Sequence, residues 1–411
     1  MMASQQVDVL IIGAGPSGVS AAALIQKAGF KVCVVEREKF PRFVIGESLL
    51  PRSMDLLEEA GLLEAVHQQQ YIVKPGAVFL RGNDVCAFKF SEQFSRGWDY
   101  TYQVPRDHFD HTLAGAVEKM GVGILWEHTV NDVQFTDAGP LISLMDKNGD
   151  KSTIASRFVL DASGYGRVLP KLLDLDLPSD LPVRESLFTH VTGDRRPQGS
   201  EEGVIWICML PDNAWLWIIP FSNGRTSVGV VAEPDFYSRL PGRPDEKLRA
   251  AINMEKNAAK RLADVDFCFP AQQIKGYSIS VKQLFGDGYA LLGNATEFLD
   301  PVFSSGVTLA LESASRAAQV LIKQLNGESV DWQKQYADYL MEGVDTFRTY
   351  VNAWYDGRLP TIFFSRRQDP DVRNRICSVL AGYVWDKDNV YVTQHEKAVS
   401  KLAKVAALMN R

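Results

Sequence analysis

Cysteine is scarce in this chain of 411 residues: Cys33, Cys86, Cys208, Cys268 and Cys377 are scattered, odd in number and without C-x-x-C spacing. That excludes a disulfide framework and offers no zinc-ligand pattern, so a reducing cytoplasm is the expected compartment. Basic charge is not in excess either. The formal net charge is -6, whereas a nucleic-acid partner needs a basic face. No apolar run reaches the length of a membrane span, no period repeats, and no low-complexity tract is visible. The apolar N-terminus lacks a basic leader and carries Asp8 early, so it reads as structure rather than as a signal peptide. What is abundant is apolar sequence, 46% of all residues, enough to build the cores of about two or three domains.

The most informative stretch is residues 6–36, QVDVLIIGAGPSGVSAAALIQKAGFKVCVVE. The apolar run Val7 to Ile12 reads as a buried parallel strand, Gly13 to Gly18 supplies G-x-G-x-x-G, and Glu36 closes a second strand over Lys31 to Val35. Gly13 permits the tight turn, Gly15 lets backbone approach a pyrophosphate, and Gly18 lets helix and strand pack closely. Pro16 and Ser17 open a helix whose amides face the phosphate. Glu36 is then placed to accept from an adenosine ribose hydroxyl. Strand, turn, helix, strand and acid in this order predict a dinucleotide-binding βαβ unit.

The rest alternates strand and helix, with the nucleotide domain returning twice. Pro105, Arg106 and Asp107 open an amphipathic helix to Lys119, and Arg157 to Leu160 is a strand running into Asp161, Ala162, Ser163 and Gly164. A third piece is the strand Tyr289 to Leu292, then Gly293, Asn294 and Ala295, a loop, and a long helix from about Gly306. The expected organisation is an α/β chain, α+β overall, with a Rossmann-like cofactor domain assembled from residues 1–75, 103–182 and 276–330. A mainly antiparallel substrate sheet is expected from 76–102 and 183–275, where Val204 to Met209 and Thr226 to Val231 alternate. Residues 331–411, rich in Tyr336, Tyr339, Phe347, Tyr350, Trp354 and Trp385, form a helical cap.

G-x-G-x-x-G early, Asp-Ala-Ser-Gly midway and Gly-Asn-Ala before a late helix together resemble the FAD-dependent oxidoreductases of the hydroxylase type, over most of the first 325 residues. The resemblance implies FAD as cofactor. It assigns Arg37, Glu47, Ser48, Arg106, Asp161, Gly164, Asn294, Ala295, Pro301, Gly306 and Val307 to the cofactor along with the βαβ residues. Where that family has an aspartate on the ribityl chain, this chain has Asn294, which keeps an acceptor oxygen but loses charge. Asp287, between Gly286 and Gly288, reads as a turn residue rather than a displaced ligand.

Three further segments resemble the flavin-dependent halogenases, in particular the branch acting on phenols and pyrroles. KFPRF at Lys39 to Phe43 is followed by IGESLLP at Ile45 to Pro51. Trp215, Trp217, Ile219 and Pro220 match W-x-W-x-I-P, with Ala214 where a glycine often precedes. This strand is expected to wall the path between flavin and substrate. Asp300 to Val307, DPVFSSGV, opens the late helix, whose free amides at Ser305 and Gly306 make an anion site that the resemblance assigns to halide. Phe303 stands where tryptophan halogenases place a glutamate and is assigned to the substrate path, which makes tryptophan an unexpected substrate.

Lys74, followed by Gly76, Ala77 and Phe79, matches the halogenase lysine that captures hypohalous acid and delivers it to the aromatic carbon. A buried amine has a lowered pKa, which leaves part of it nucleophilic. Pro75 departs from the commoner polar residue. His108 and His111 with Asp107 and Asp110 have metal-like spacing, but acids in a first turn complement the helix dipole and no distant third ligand is indicated, so no metal is expected. His67, His128, His190 and His395 sit in no recognisable triad.

The expectation is therefore a halogenase-like monooxygenase using reduced FAD, oxygen and halide on a small electron-rich aromatic substrate, free or tethered to a carrier protein. With only one G-x-G-x-x-G, reduced FAD is expected from a separate flavin reductase. The alternatives are a flavin reductase resembling the geranylgeranyl reductases, a flavin hydroxylase, and a flavin-binding protein without turnover.

Overall fold

The computed structural model describes residues 5–409. Its first sheet grows from the apolar strand Gln5–Ile12, which is hydrogen-bonded on both sides by parallel strands, Lys151–Asp161 and Val32–Glu36. Such a strand is covered on both faces, which is why Val9, Leu10 and Ile11 are apolar without alternation and wholly buried. Tyr289–Leu291 and Gly123–Trp126 extend the sheet in parallel at its two ends. Phe285–Gly286 adds an antiparallel edge by a turn through Asp287. The hairpin His128–Thr136 with Gly139–Asp146 pairs antiparallel to the outer part of Lys151–Asp161.

The second sheet runs Asp266–Phe267, Glu185–Thr192, Thr226–Ala232, Trp215–Pro220, Ile205–Met209, Gly76–Arg81, Asp84–Lys89. Its pairs are antiparallel except that Ile205–Met209 lies parallel to Gly76–Arg81. One face carries Trp215, Trp217 and Phe188 toward the main core, while Leu216, Ile218 and Val230 pack a smaller core under helices Pro234–Ser238, Pro244–Ile252 and Lys256–Arg261. Two short strands, Ile72–Lys74 and Thr101–Gln103, form a separate antiparallel ribbon. The 21-residue helix Ser305–Leu325 packs on Pro16–Lys27 and leads to Tyr339–Tyr355, Arg358–Phe363, Pro370–Leu380 and His395–Met409.

The tail's aromatic residues fasten these helices. Trp332 stacks on Phe158 of the first sheet at 5.3 Å, and Tyr339 stacks on Trp385 at 5.5 Å. Among the described residues no helix is long and apolar enough to cross a membrane. The fold is mixed α/β, with mixed sheets and a helical C-terminal region.

Candidate functional site

The glycine turn is held by contacts only glycine allows. Gly13 has φ +100°, and a Cβ on Gly18 would lie 1.9 Å from the Gly13 carbonyl. Gly15 differs. Its φ of -69° suits any residue, and a Cβ there would have open space except for Arg42 Nη2 at 3.8 Å. The turn therefore faces a cradle that a side chain would fill, at the N-terminus of helix Pro16–Lys27.

That cradle is one end of a cavity of about 270 Å³. Gly13, Gly15, Pro16, Ser17, Glu36, Arg37, Arg106, Gly164, Asn294, Pro301, Gly306, Val307 and Trp217 all line it, brought together from pieces nearly 300 residues apart. The Glu36 carboxylate accepts from the amides of Ala14 at 2.8 Å and Glu38 at 3.0 Å, so turn and second strand are tied at the cavity wall. Glycines, a helix N-terminus and an acid at the far strand fit a dinucleotide such as FAD.

Other expected cofactor residues lie behind the wall. Asp161 is buried, accepting from the amides of Ser163 at 2.9 Å and Leu169 at 2.6 Å, and so shapes the turn bearing Gly164. Burial raises its pKa above the usual carboxylate range. Ala295 is fully buried. The carbonyls of Asn294 and Ala295 both accept from Arg167, which is buried and bonded to Asp176 at 2.6 and 2.8 Å. Arg167 escapes a sequence reading because the backbone oxygens it holds at Asn294 and Ala295 lie more than 120 residues away.

Arg106 lines the cavity and grips Asp110 through two bonds of 2.7 and 3.0 Å, while its Nη1 donates to the carbonyls of Ile45 and Gly46 at 3.2 Å each. Asp110 also holds Arg42 at 3.1 Å. The acid spacing on this helix thus serves an i,i+4 ion pair. His108 bonds to the Tyr71 hydroxyl at 2.7 Å. Among the described residues no His, Cys, Asp and Glu cluster could hold a metal ion.

Gly46, at φ +108°, starts an extended run that leaves the cavity. Glu47, expected on the cofactor, turns instead to His190, with Oε1 and Nε2 2.6 Å apart and both residues buried. Ser48 is buried too and pairs in register with Gln103. The Leu49 carbonyl then accepts from Lys74 Nζ at 2.7 Å. Lys74 is 1% exposed, does not line the described cavity, and has its ammonium 5.5 Å from the Phe90 ring centroid. Loss of hydration pulls its pKa from 10.5 to about 7.

Register puts Lys74 opposite Thr101 and Ile72 opposite Gln103, so Lys74, Thr101, Gln103 and Ser48 share one face. On that face Ser48 Oγ, Thr101 Oγ1 and Gln103 Oε1 are buried without hydrogen-bond partners, and Glu47 Oε2 is likewise unpartnered. Buried polar groups are almost always satisfied. Their concentration beside a buried lysine marks a place made for something polar.

The late motif forms a sharp corner. Pro301 to Phe303 is one short turn, Ser304 is left-handed at φ +57°, and the long helix starts at Ser305. Ser305 is buried behind the wall and Gly306 lies on it. Asp300 accepts from Val302 N at 3.0 Å and from the Tyr355 hydroxyl at 2.9 Å. That hydroxyl accepts in turn from Trp215 Nε1 at 2.8 Å. Trp215 is thus a link to the helical cap, whereas its neighbour Trp217 faces the cavity. Burial raises the Asp300 pKa to about 6. Phe303 does not line this cavity; its buried ring lies edge-on to Tyr350 and Trp354.

A protein-family model described as an FAD-binding domain matches residues 6–338. The chain belongs to that family. Its cofactor is FAD, and its relatives make it a halogenase-like FAD-dependent oxidoreductase. One is a 1H-pyrrole-2-carbonyl-[peptidyl-carrier protein] chlorinase from Pseudomonas fluorescens, 29% identical over 99% of this chain and 94% of the relative. A flavoprotein/dehydrogenase from Cytophaga hutchinsonii has a solved structure with TM-score 0.97 and 49% identity, covering 99% of this chain and all of that one. The flavin-dependent brominase Bmp2 matches with TM-score 0.86 and 25% identity over 97% and 98% of the two chains.

Proposed function

We propose that the protein uses reduced FAD, dioxygen and halide to halogenate an electron-rich ring, a phenol or a pyrrole, presented free or tethered to a carrier protein. The observation that carries this reading is Lys74: a fully buried amine with a pKa near 7, held by one carbonyl among unpartnered oxygens. Bound reduced FAD supplies the electrons that activate dioxygen for oxidation of halide. The chain's own residues then divide the work. Gly306, at the start of a long helix on the cavity wall, offers an amide and the helix dipole to an anion, with Ser305 behind it. Trp217 narrows the same cavity, and Lys74 takes up the hypohalous acid and holds it toward the ring.

The pyrrole-carrier chlorinase at 29% identity supports the choice of pyrrole and of a carrier. Phe303, packed in the cap where tryptophan halogenases have an acid, supports the phenol or pyrrole branch over tryptophan. A separate flavin reductase is the proposed electron source. The test supplies reduced FAD, bromide or chloride and a panel of free and carrier-tethered pyrroles and phenols, with mass spectrometry of the products. A halogen isotope pattern from wild type, lost in Lys74→Ala while oxygen is still consumed, is the expected result. Only hydroxylated products, or an active Lys74→Ala, would overturn it. The name of the 49% identical solved relative favours a second reading, a flavin dehydrogenase or reductase. Rapid flavin reduction by NADH or NADPH alone, followed in stopped flow, would select it.

A further inference from the structure

Residues 46–49 run as a short extended segment between two sites, joined to Thr101–Gln103 by an antiparallel bridge at Ser48. Its hydrogen bonds to the next strand are regular: Val104 N donates to Glu47 O at 2.8 Å and Leu49 N to Tyr102 O at 3.1 Å. Gly46 lines the flavin cavity, and three residues on, the Leu49 carbonyl holds Lys74. By alternation Ser48 lies on the lysine's face and Glu47 on the opposite face. Anything that fixes Glu47 therefore fixes both ends of the run.

Among the described residues the Glu47 side chain has one hydrogen-bond partner, His190 Nε2 at 2.6 Å; the other carboxylate oxygen is buried and unpartnered. Phe43, Phe221 and Phe269 surround the imidazole, with ring centroids 5.2 to 5.5 Å away. His190 belongs to the strand Glu185–Thr192 of the second sheet, which is hydrogen-bonded along both sides and lies far in sequence from the residues it holds. The charged groups near the pair are Arg106, on the Gly46 carbonyl with Asp110 and Arg42 behind it, and Lys74 beyond Leu49. A buried carboxylate is held in place by the hydrogen bonds it makes, so loss of the imidazole leaves the Glu47 side chain without that anchor and lets residues 46–49 shift.

We propose that His190 is a positioning residue: through Glu47 it locks residues 46–49 so that one segment walls the flavin cavity and holds the Lys74 amine in place. This rests on the proposed role of Lys74, and the experiment separates the two. Protein labelled with 13C-lysine, without and with FAD, is titrated by NMR, the Lys74 Cε resonance being identified by its loss in Lys74→Met. In His190→Leu its midpoint is expected to move by about half a pH unit or more, because the Leu49 carbonyl shifts against the amine.

The second readout is halogenated product per dioxygen consumed, measured across pH. In His190→Leu it is expected to fall about tenfold, while FAD retention and the rate of flavin oxidation stay within about twofold. His190→Gln, which keeps a donor to Glu47, restores both the midpoint and the yield. A wild-type midpoint and yield in His190→Leu would overturn the proposal. So would equal loss of FAD binding in His190→Leu and in the milder Glu47→Gln, since that is a structural role only. Should wild type make no halogenated product, the proposed function fails and the titration alone decides about His190.

Discussion

The two ends of the 46–49 segment are built on opposite terms. At the dinucleotide cradle the recognition atoms are backbone, and the acid that closes the second strand, Glu36, has both oxygens engaged by amides. At the lysine end the atoms are side chains, and Ser48, Thr101 and Gln103, on the face that Lys74 shares, leave oxygens buried and unpartnered. The first arrangement is close to its relaxed state before any ligand arrives. The second leaves polar side chains without protein partners, the pattern expected where residues are arranged for chemistry rather than for stability.

The comparison is broken most severely at the lysine. Lys74→Met is expected to lower halogenation at least about a hundredfold, read as product per enzyme, because it removes the buried amine from that face. The same substitution should stabilise the fold. The Lys74 pKa is lowered to about 7 in the folded protein, so between pH 7 and 10.5 the unfolded chain binds the extra proton and stability rises with pH. Lys74→Met should therefore gain roughly 2 to 4 kcal/mol at pH 6, and the gain should vanish near pH 10.5. Chemical denaturation at several pH values checks this; an unchanged difference across that range would mean the amine is hydrated.

The cradle should respond in the reverse sense. Gly15→Val has ordinary backbone geometry and free space, so the protein should fold with a melting temperature within a few degrees of wild type. Its flavin should be lost, seen as a fall of at least about tenfold in the 450 nm to 280 nm absorbance ratio after desalting, because the side chain occupies the pyrophosphate position. Normal flavin retention would disprove the assignment. Gly18→Ala, by contrast, should cost stability, about 2 kcal/mol or more, since its Cβ collides with backbone.

The smallest effect belongs to Asp300, on the cap side of the cavity. Its pKa is raised to about 6, so its contribution is fully present below pH 3.8 and is lost as pH rises through 6. Asp300→Asn should gain about 1 to 2 kcal/mol relative to wild type between pH 4 and pH 7. A difference independent of pH would show that the Tyr355 hydroxyl bond, rather than burial, governs this carboxyl.

Local sequence determined the βαβ unit, because its signals lie within one strand, one turn and one helix, and each glycine answers a steric demand of its own neighbours. It also determined the corner at Ser304 and Ser305, where small residues and Pro301 precede a long helix, and the W-x-W strand, whose alternation sets two rings on one face. The FAD family followed from the same short motifs. What only the tertiary structure decided are the partners. Glu47 bonds to His190, 143 residues away, and His190 shows no motif because its contact is one hydrogen bond from a strand interior. Asp161 and Trp215 turned out to hold their own surroundings, the one a turn and the other a link to Tyr355. Lys74 was legible as a residue, and as a buried amine only through the family resemblance: its environment is made by a ribbon and an extended segment that meet only on folding, and desolvation is a property of everything around a group, which no stretch of neighbouring sequence encodes.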